Sequence, residues 1–162
     1  MSQTFKYQSG AVLVVSLVML LLLSIISVAG MQTTTLEEKM TGNQRDRNLA
    51  FQAAESAIRA GENFLTQATL PTFNGNNGLY AQNGAPPGAD ANWASYSTVA
   101  YAYDNEQVAS APLYVIQRMR DIESGSSLDA GSYGQSEMYR VTARGVGGTD
   151  TAVVVIQTTY RR

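Results

Sequence analysis

AVLVVSLVMLLLLSIISVAGM, residues Ala11–Met31, decides how the rest of the chain is read. Its 21 residues carry no charge, and at about 1.5 Å per residue a helix of this length crosses a hydrocarbon core of roughly 30 Å. Only Ser16, Ser24, Ser27 and Gly30 interrupt the apolar run. A helix that is apolar on every side has no face for water. The stretch therefore predicts a membrane-embedded helix. The preceding segment, MSQTFKYQSG, is short and polar, and Lys6 favours a cytoplasmic N-terminus. Gly10 stands at the boundary between the polar and apolar segments.

Two other readings of the run stay open at this point. Ser27-Val28-Ala29 has the small-x-small pattern of a signal-peptidase site, although the apolar region of a cleaved signal is usually about 7–15 residues and this one is longer. The run also suits a plain single-span anchor.

Composition bounds the remainder of the chain. Roughly 130 residues lie beyond the span, enough for one compact domain. The net charge is −2, which points away from nucleic acid, where a basic excess is the usual footprint. The chain has no cysteine and no histidine. Thiol chemistry, Cys/His zinc sites and Ser-His-Asp catalysis are excluded.

After the span, Gln32–Thr35 is a β-branched collar next to Gly30, and Thr41-Gly42-Asn43 is a second place where a helix is expected to weaken. Thr34 with Glu37, and Thr35 with Glu38, have capping-box spacing from which a helix can restart. From Asp46 to Ala68 the pattern becomes amphipathic. Ala50, Ala53, Ala54, Ala57, Ile58, Gly61, Phe64, Leu65 and Ala68 recur at spacings of three and four, which gathers them on one helical face. Arg45, Asp46, Arg47, Glu55, Arg59 and Glu62 mostly take the other side, with Glu55 and Arg59 forming an i,i+4 pair. An alanine-rich face admits a flat partner, and a β-sheet fits. Leu70-Pro71 is expected to stop the helix.

Thr72–Trp93 is dense in Gly, Asn and Pro and reads as loop. Tyr80, Trp93 and Tyr96 are expected to pin it. The C-terminal third reads as strands. Leu113–Met119 is one, and Met138–Arg144 alternates, with Tyr139, Val141 and Ala143 on one side and Met138, Arg140, Thr142 and Arg144 on the other. Gly145–Asp150 is a turn. Thr151–Tyr160 is β-branched almost throughout, and its Val153–Ile156 core reads as covered on both faces. The expected fold is α+β, a long N-terminal helix packed on a small antiparallel sheet. The expected segments are a leader over 1–10, a transmembrane helix over 11–31, an amphipathic helix over 32–69, and loop plus sheet over 70–162.

Few residues suggest chemistry. Asp121, Glu123, Asp129 and Glu137 raise calcium binding, without the spacing of an EF-hand loop. Gly145–Gly148 is glycine-rich but lies between two strands and not before a helix, which disfavours a phosphate cradle. No cofactor, metal site or catalytic residue is expected.

Taken together, the chain resembles a bacterial type IV pilin, and more narrowly the PilX group of minor pilins. The resemblance rests on Gly10 followed by a long apolar helix, on MQTTTLEEKMTGNQRDRNLAFQAAESAIRAGE (Met31–Glu62), and on YRVTARGVGGTDTAVVVIQTTY (Tyr139–Tyr160). It implies cleavage by prepilin peptidase between Gly10 and Ala11, N-methylation of Ala11, and a helical spine carrying a periplasmic αβ head. It implies a non-enzymatic subunit that primes pilus assembly at the inner membrane and sits at or near the fibre tip, supporting adhesion, twitching motility and surface sensing. The partners implied are other minor pilins, the major pilin, a large tip-associated adhesin, prepilin peptidase and the inner-membrane assembly platform. There is one departure. Pilins generally carry glutamate as the fifth residue of the mature chain, and here that position is Val15. The alternatives are a K-type minor pseudopilin of type II secretion, whose inserted domain is larger than Leu70–Glu137 allows, and a membrane-anchored or secreted periplasmic binding domain.

Overall fold

The computed structural model describes residues 10–120 and 136–162. Helix α1 runs over Ala11–Leu65 and is followed by β1 (Leu79–Tyr80), a 3-10 turn at Trp93–Ser95, β2 (Val99–Ala100), β3 (Leu113–Arg118), β4 (Met138–Val146) and β5 (Val153–Arg161). The chain divides into two units, Met1–Gly42 and Asn43–Arg162.

In the N-terminal unit the helix is unbroken at the collar where weakening was expected. Thr33, Thr34 and Thr35 donate their hydroxyls to the carbonyls of Ala29, Gly30 and Met31, one turn back. The threonines thus satisfy themselves inside the helix instead of capping a new one. Ser24 and Ser27 do the same to Leu20 and Leu23. This internal pairing lets a hydroxyl sit in an apolar span without an unmet polar group.

In the C-terminal unit, the expected alanine face is the buried one. Ala50, Ala53, Ala54, Ala57, Ile58, Gly61 and Leu65 are all buried. Phe64 is half-buried and Ala68 exposed, because the helix ends at Leu65, ahead of Pro71. The Thr66 and Gln67 amides turn to the carbonyls of Asn63 and Phe64, and the Thr66 hydroxyl also donates to Asn63 at 2.7 Å. These tighter bonds satisfy two of the last helical carbonyls before the proline is reached.

The sheet is mixed, not purely antiparallel as expected. Its order is β1-β3-β4-β5, with β2 also on β3. β3–β4 and β4–β5 are antiparallel, with Ile116, Val141 and Thr158 in register across the three. The short β1 instead runs parallel to β3, and β2 antiparallel to it. Both occupy the same edge of β3: β2 pairs with its start, Leu113–Tyr114, and β1 with Ile116–Gln117. The loop that joins β1 to β2 is long enough to bring either direction to that edge.

One sheet face packs on α1. Ala57, Ile58, Leu65, Leu79, Tyr114, Ile116, Tyr139, Val141 and Ala143 form this core. The expected alternation of Tyr139, Val141 and Ala143 falls on the buried side. A Cβ at Gly61 would stand 2.7 Å from Val141 Cγ1, so glycine lets the helix close on the strand. On the other face Tyr80, Trp93 and Val115 form a smaller cluster. Trp93 donates its indole N–H to Gly88 O at 3.1 Å, and Tyr80 its hydroxyl to Ser97 O at 3.0 Å, which ties the loop down as expected for these two. Tyr96 does not help, being exposed. Phe73 supplies a further anchor, stacking at a tilt on Tyr139 with ring centroids 5.3 Å apart.

β5 also departs from expectation. Val153 is 38% exposed, and Val154, Val155 and Ile156 are half-buried. The run is β-branched because it is a strand, not because both faces are covered. It lies at the sheet edge, where the covering layers run out.

Candidate assembly surfaces

Two kinds of surface are available for assembly, and they are chemically unlike. In the N-terminal unit every residue of the apolar run is exposed, with none of it buried among the described residues. Gly10 is the first described residue; it forms a turn with open space around its α-carbon and leads directly into Ala11, the first helical residue. Residues 1–9 of the expected leader lie outside the described residues. Val15 is one turn beyond Ala11 and is 58% exposed. The first helical turn holds no acidic residue, so nothing in it offsets the positive end of the helix dipole.

In the C-terminal unit, an interaction that sequence reading missed ties α1 to the sheet. Asp46 accepts hydrogen bonds from the backbone N–H groups of Gly148 and Thr149 and from the Thr149 hydroxyl. The carboxyl is held below its ordinary range, first by the Thr149 hydroxyl and then by the two amides, against an opposing effect of desolvation. The glycines here make this possible, although the turn expected over Gly145–Asp150 starts later, because Gly145 and Val146 are the last residues of β4. A Cβ on Gly145 would fall on the Ala50 carbonyl and the Ala54 amide, and one on Gly147 would fall on Asp46 itself. The glycines at 145–148 are thus a close-approach device for a helix, with a carboxylate as their anion. Asp46 reads in sequence as one more polar-face residue; only the glycines opposite hint at it.

Glu137, the one described member of the suggested calcium set, is already engaged. It pairs with Arg118 at 3.3 Å and accepts the Tyr139 hydroxyl at 2.6 Å. Burial and that hydrogen bond push the Tyr139 phenol up to about 12. Asp121, Glu123 and Asp129 lie outside the described residues. Among the described residues no three carboxylates converge as a metal site.

An open groove of about 790 Å³ is lined by α1 residues from Gln52 to Phe64, by Gln67 just beyond the helix, and by Tyr101, Tyr103 and Tyr114. Asn63, Ser56 and the two glutamines give it amide and hydroxyl groups, while Glu55 and Arg59 neutralise each other at 2.5 Å. Its lining combines aromatic area with amide and hydroxyl groups.

A family model described as PilX N-terminal matches residues 9–59, and a second, described as type IV pilus assembly protein PilX C-term, matches residues 67–162. No curated protein and no solved structure matches the chain significantly. The two family matches fall on the helix and on the loop-and-sheet unit respectively, in the order in which they occur here. The chain belongs to the PilX group of type IV pilus minor pilins.

Proposed function

We propose that this minor pilin is an initiating subunit, which primes pilus assembly at the inner membrane with other minor pilins and occupies the fibre tip or a place close to it. The observation that carries the proposal is Val15. Prepilin peptidase cleaves between Gly10 and Ala11, and the Ala11 amine is methylated. In a pilin with glutamate at the fifth mature position, that carboxylate meets the amine of the subunit added before it. A carboxylate buried in an apolar helix bundle costs several kcal/mol, on the order of 3–5, if it lacks a partner. The first subunit has no predecessor, so valine avoids that cost. Its own amine, at the positive end of an uncapped helix, stays free for the next subunit's glutamate.

Assembly then moves the apolar span from lipid into a bundle of neighbouring helices, with the major pilin below and the large tip-associated adhesin above. The subunit thereby supports adhesion, twitching motility and surface sensing as structure and not as an enzyme. Site-specific crosslinkers placed along residues 12–30 test this in isolated pili. The expected neighbours are pilins on the base-proximal side alone. Neighbours on both sides, in mid-fibre, would overturn the tip assignment. Sequencing the mature N-terminus tests the processing step: it should begin at Ala11, and a start at Gly30 would show that the span is discarded.

A further inference from the structure

The long strand at the end of the sheet is the least finished part of the C-terminal unit. β5 is nine residues long and stands last in the sheet order, paired with β4 along one edge. No backbone hydrogen bond among the described residues reaches its other edge. The opposite side of the sheet is not comparable, because β1 and β2 already occupy the outer edge of β3. Folded proteins ordinarily guard such an edge with proline, lysine, a bulge or a short strand. VVVIQTTYR has none of these, and its one charge, Arg161, comes last.

Two side-chain observations say what the edge is missing. Val154, Ile156, Thr158 and Tyr160 face the core by their register with Gly145, Ala143, Val141 and Tyr139, yet each is only half-buried. Ile156 and Tyr160 form the rim of the core cluster. On the opposite face the register places Arg140 beside Thr159, Arg144 beside Val155, and Arg161 on β5 itself. β3, β4 and β5 contain no aspartate or glutamate. Arg140 and Arg144 are half-buried without an ion pair among the described residues.

We propose that the edge of β5 left unpaired by the described residues is a docking site for an extended segment of a different pilus protein, adding as a further strand with apolar residues on its core side and carboxylates on its outer side. Main-chain hydrogen bonds along the edge supply affinity, and the alternating side chains supply selectivity. The core side completes the cover over Ile156 and Tyr160, and the outer side neutralises Arg140, Arg144 and Arg161. A second copy of this chain fits worse. Pairing β5 with β5 leaves the arginines of both copies without a partner, because β3, β4 and β5 supply no carboxylate. A nucleic acid satisfies the arginines but leaves the strand edge and the half-covered core as they are. The proposal rests on the minor-pilin assignment only for the class of partner.

A photo-crosslinking residue at Gln157 or Thr159, both exposed, tests it in the full chain in intact cells, with Asn74 as the reference position. The expected mate is an acid-bearing extended segment of another pilus protein. Arg140→Glu with Arg144→Glu should lower the crosslink yield about tenfold, the scale of losing charge complementarity at a protein interface, while thermal unfolding is unchanged. A mate that is β5 of a second copy, a nucleic acid or a lipid would overturn the proposal. So would a yield no higher than at Asn74, or one indifferent to the charge reversal. Recovery of the chain in sheared pili is measured separately and bears on the minor-pilin assignment; the β5 crosslink in cells decides the docking edge.

Discussion

Residues 11–31 and residues 50–65 belong to the same hydrogen-bonded helix, but their side chains are written for different surroundings. The first stretch is apolar on every side and covered by nothing in its own unit. The second is apolar on one face, and seven of its residues are buried there, four of them alanine and one glycine. Helix geometry is common to both; the partner each selects is not. Large branched side chains present area to lipid and to neighbouring helices of any register. Small ones let one particular sheet approach, with Gly61 closing on Val141 and the Ala50 carbonyl closing on Gly145. The first surface is generic and the second is specific, so they should fail differently.

The largest effect is expected in the generic surface. Leu21→Lys with Leu22→Lys puts two charges at mid-span, at about 3 kcal/mol each on insertion scales. The chain should leave the membrane fraction and disappear from pili, as read by fractionation and immunoblotting. Leu21→Val with Leu22→Val, equally apolar, should leave both unchanged. If the two variants behaved alike, the span would not be selected by its solvent.

The specific surface should fail by shape. Gly145→Val leaves its new side chain no space, because the atoms it meets are helix backbone. Overpacking of this sort costs about 3 kcal/mol or more. Thermal unfolding of the full chain in detergent should drop by about 10 °C or more on the roughly 4–8 °C per kcal/mol scale of small domains. Gly88→Ala, which meets open space, should not move it. A tolerated Gly145→Val would mean that the helix and β4 do not depend on their close approach.

The two surfaces were not equally legible in the sequence. Charge-free length is a local property, so Ala11–Met31 can be read without knowing anything else in the chain. The same holds for the alanine spacing and for the alternation in β4. Sequence hid whatever depends on residues far apart. Asp46 meets Thr149 across 103 positions, and no local pattern marks that. The parallel pairing of β1 hid for a related reason: two residues, Leu79 and Tyr80, carry no directional signal. β5 misled because β-branching reports strand preference, whereas burial depends on whether another strand lies beyond it. The helix end at Leu65 was obscured by Pro71, a stronger stop signal that the chain does not reach as a helix.

The pH response separates two ties within the specific surface, with smaller effects. The folded state lowers the Asp46 pKa, so the carboxylate's contribution is present above the ordinary aspartate range near 3.8 and is lost as pH falls through the lowered value. Tyr139 works in the opposite sense. Its folded pKa stands at about 12 against 10.0 for a free phenol, so its contribution is complete below pH 10 and is lost as pH rises towards 12. Melting temperature against pH should therefore fall at both ends. Asp46→Asn should flatten the acid limb. Tyr139→Phe should shrink the alkaline limb without abolishing it, because burial also raises Tyr80 and Tyr114. An acid limb unchanged in Asp46→Asn would show that the tie to Gly148 and Thr149 is not what holds the turn.

The smallest effect is expected where the sequence looked most like a stabilising contact. Glu55 and Arg59 form the i,i+4 pair that their spacing predicts, at 2.5 Å, but the two side chains are 42% and 71% exposed. Water screens such a pair, and holding two long side chains in one geometry costs entropy. The net contribution of an exposed pair on a helix is about 0.3–0.5 kcal/mol. Arg59→Ala should shift thermal unfolding by no more than about 2–4 °C, and raising the salt concentration should remove most of the difference from the parent chain. Both residues also line the tyrosine groove. Arg59→Glu probes that groove without touching the core: it leaves the buried alanine face intact and reverses one charge at the groove. If the groove is a contact surface in the fibre, this variant folds and inserts normally but is recovered in sheared pili at reduced yield. A large loss of thermal stability in Arg59→Ala would instead assign the pair to the fold and erase the contrast between the helix face that packs and the helix face that stays exposed.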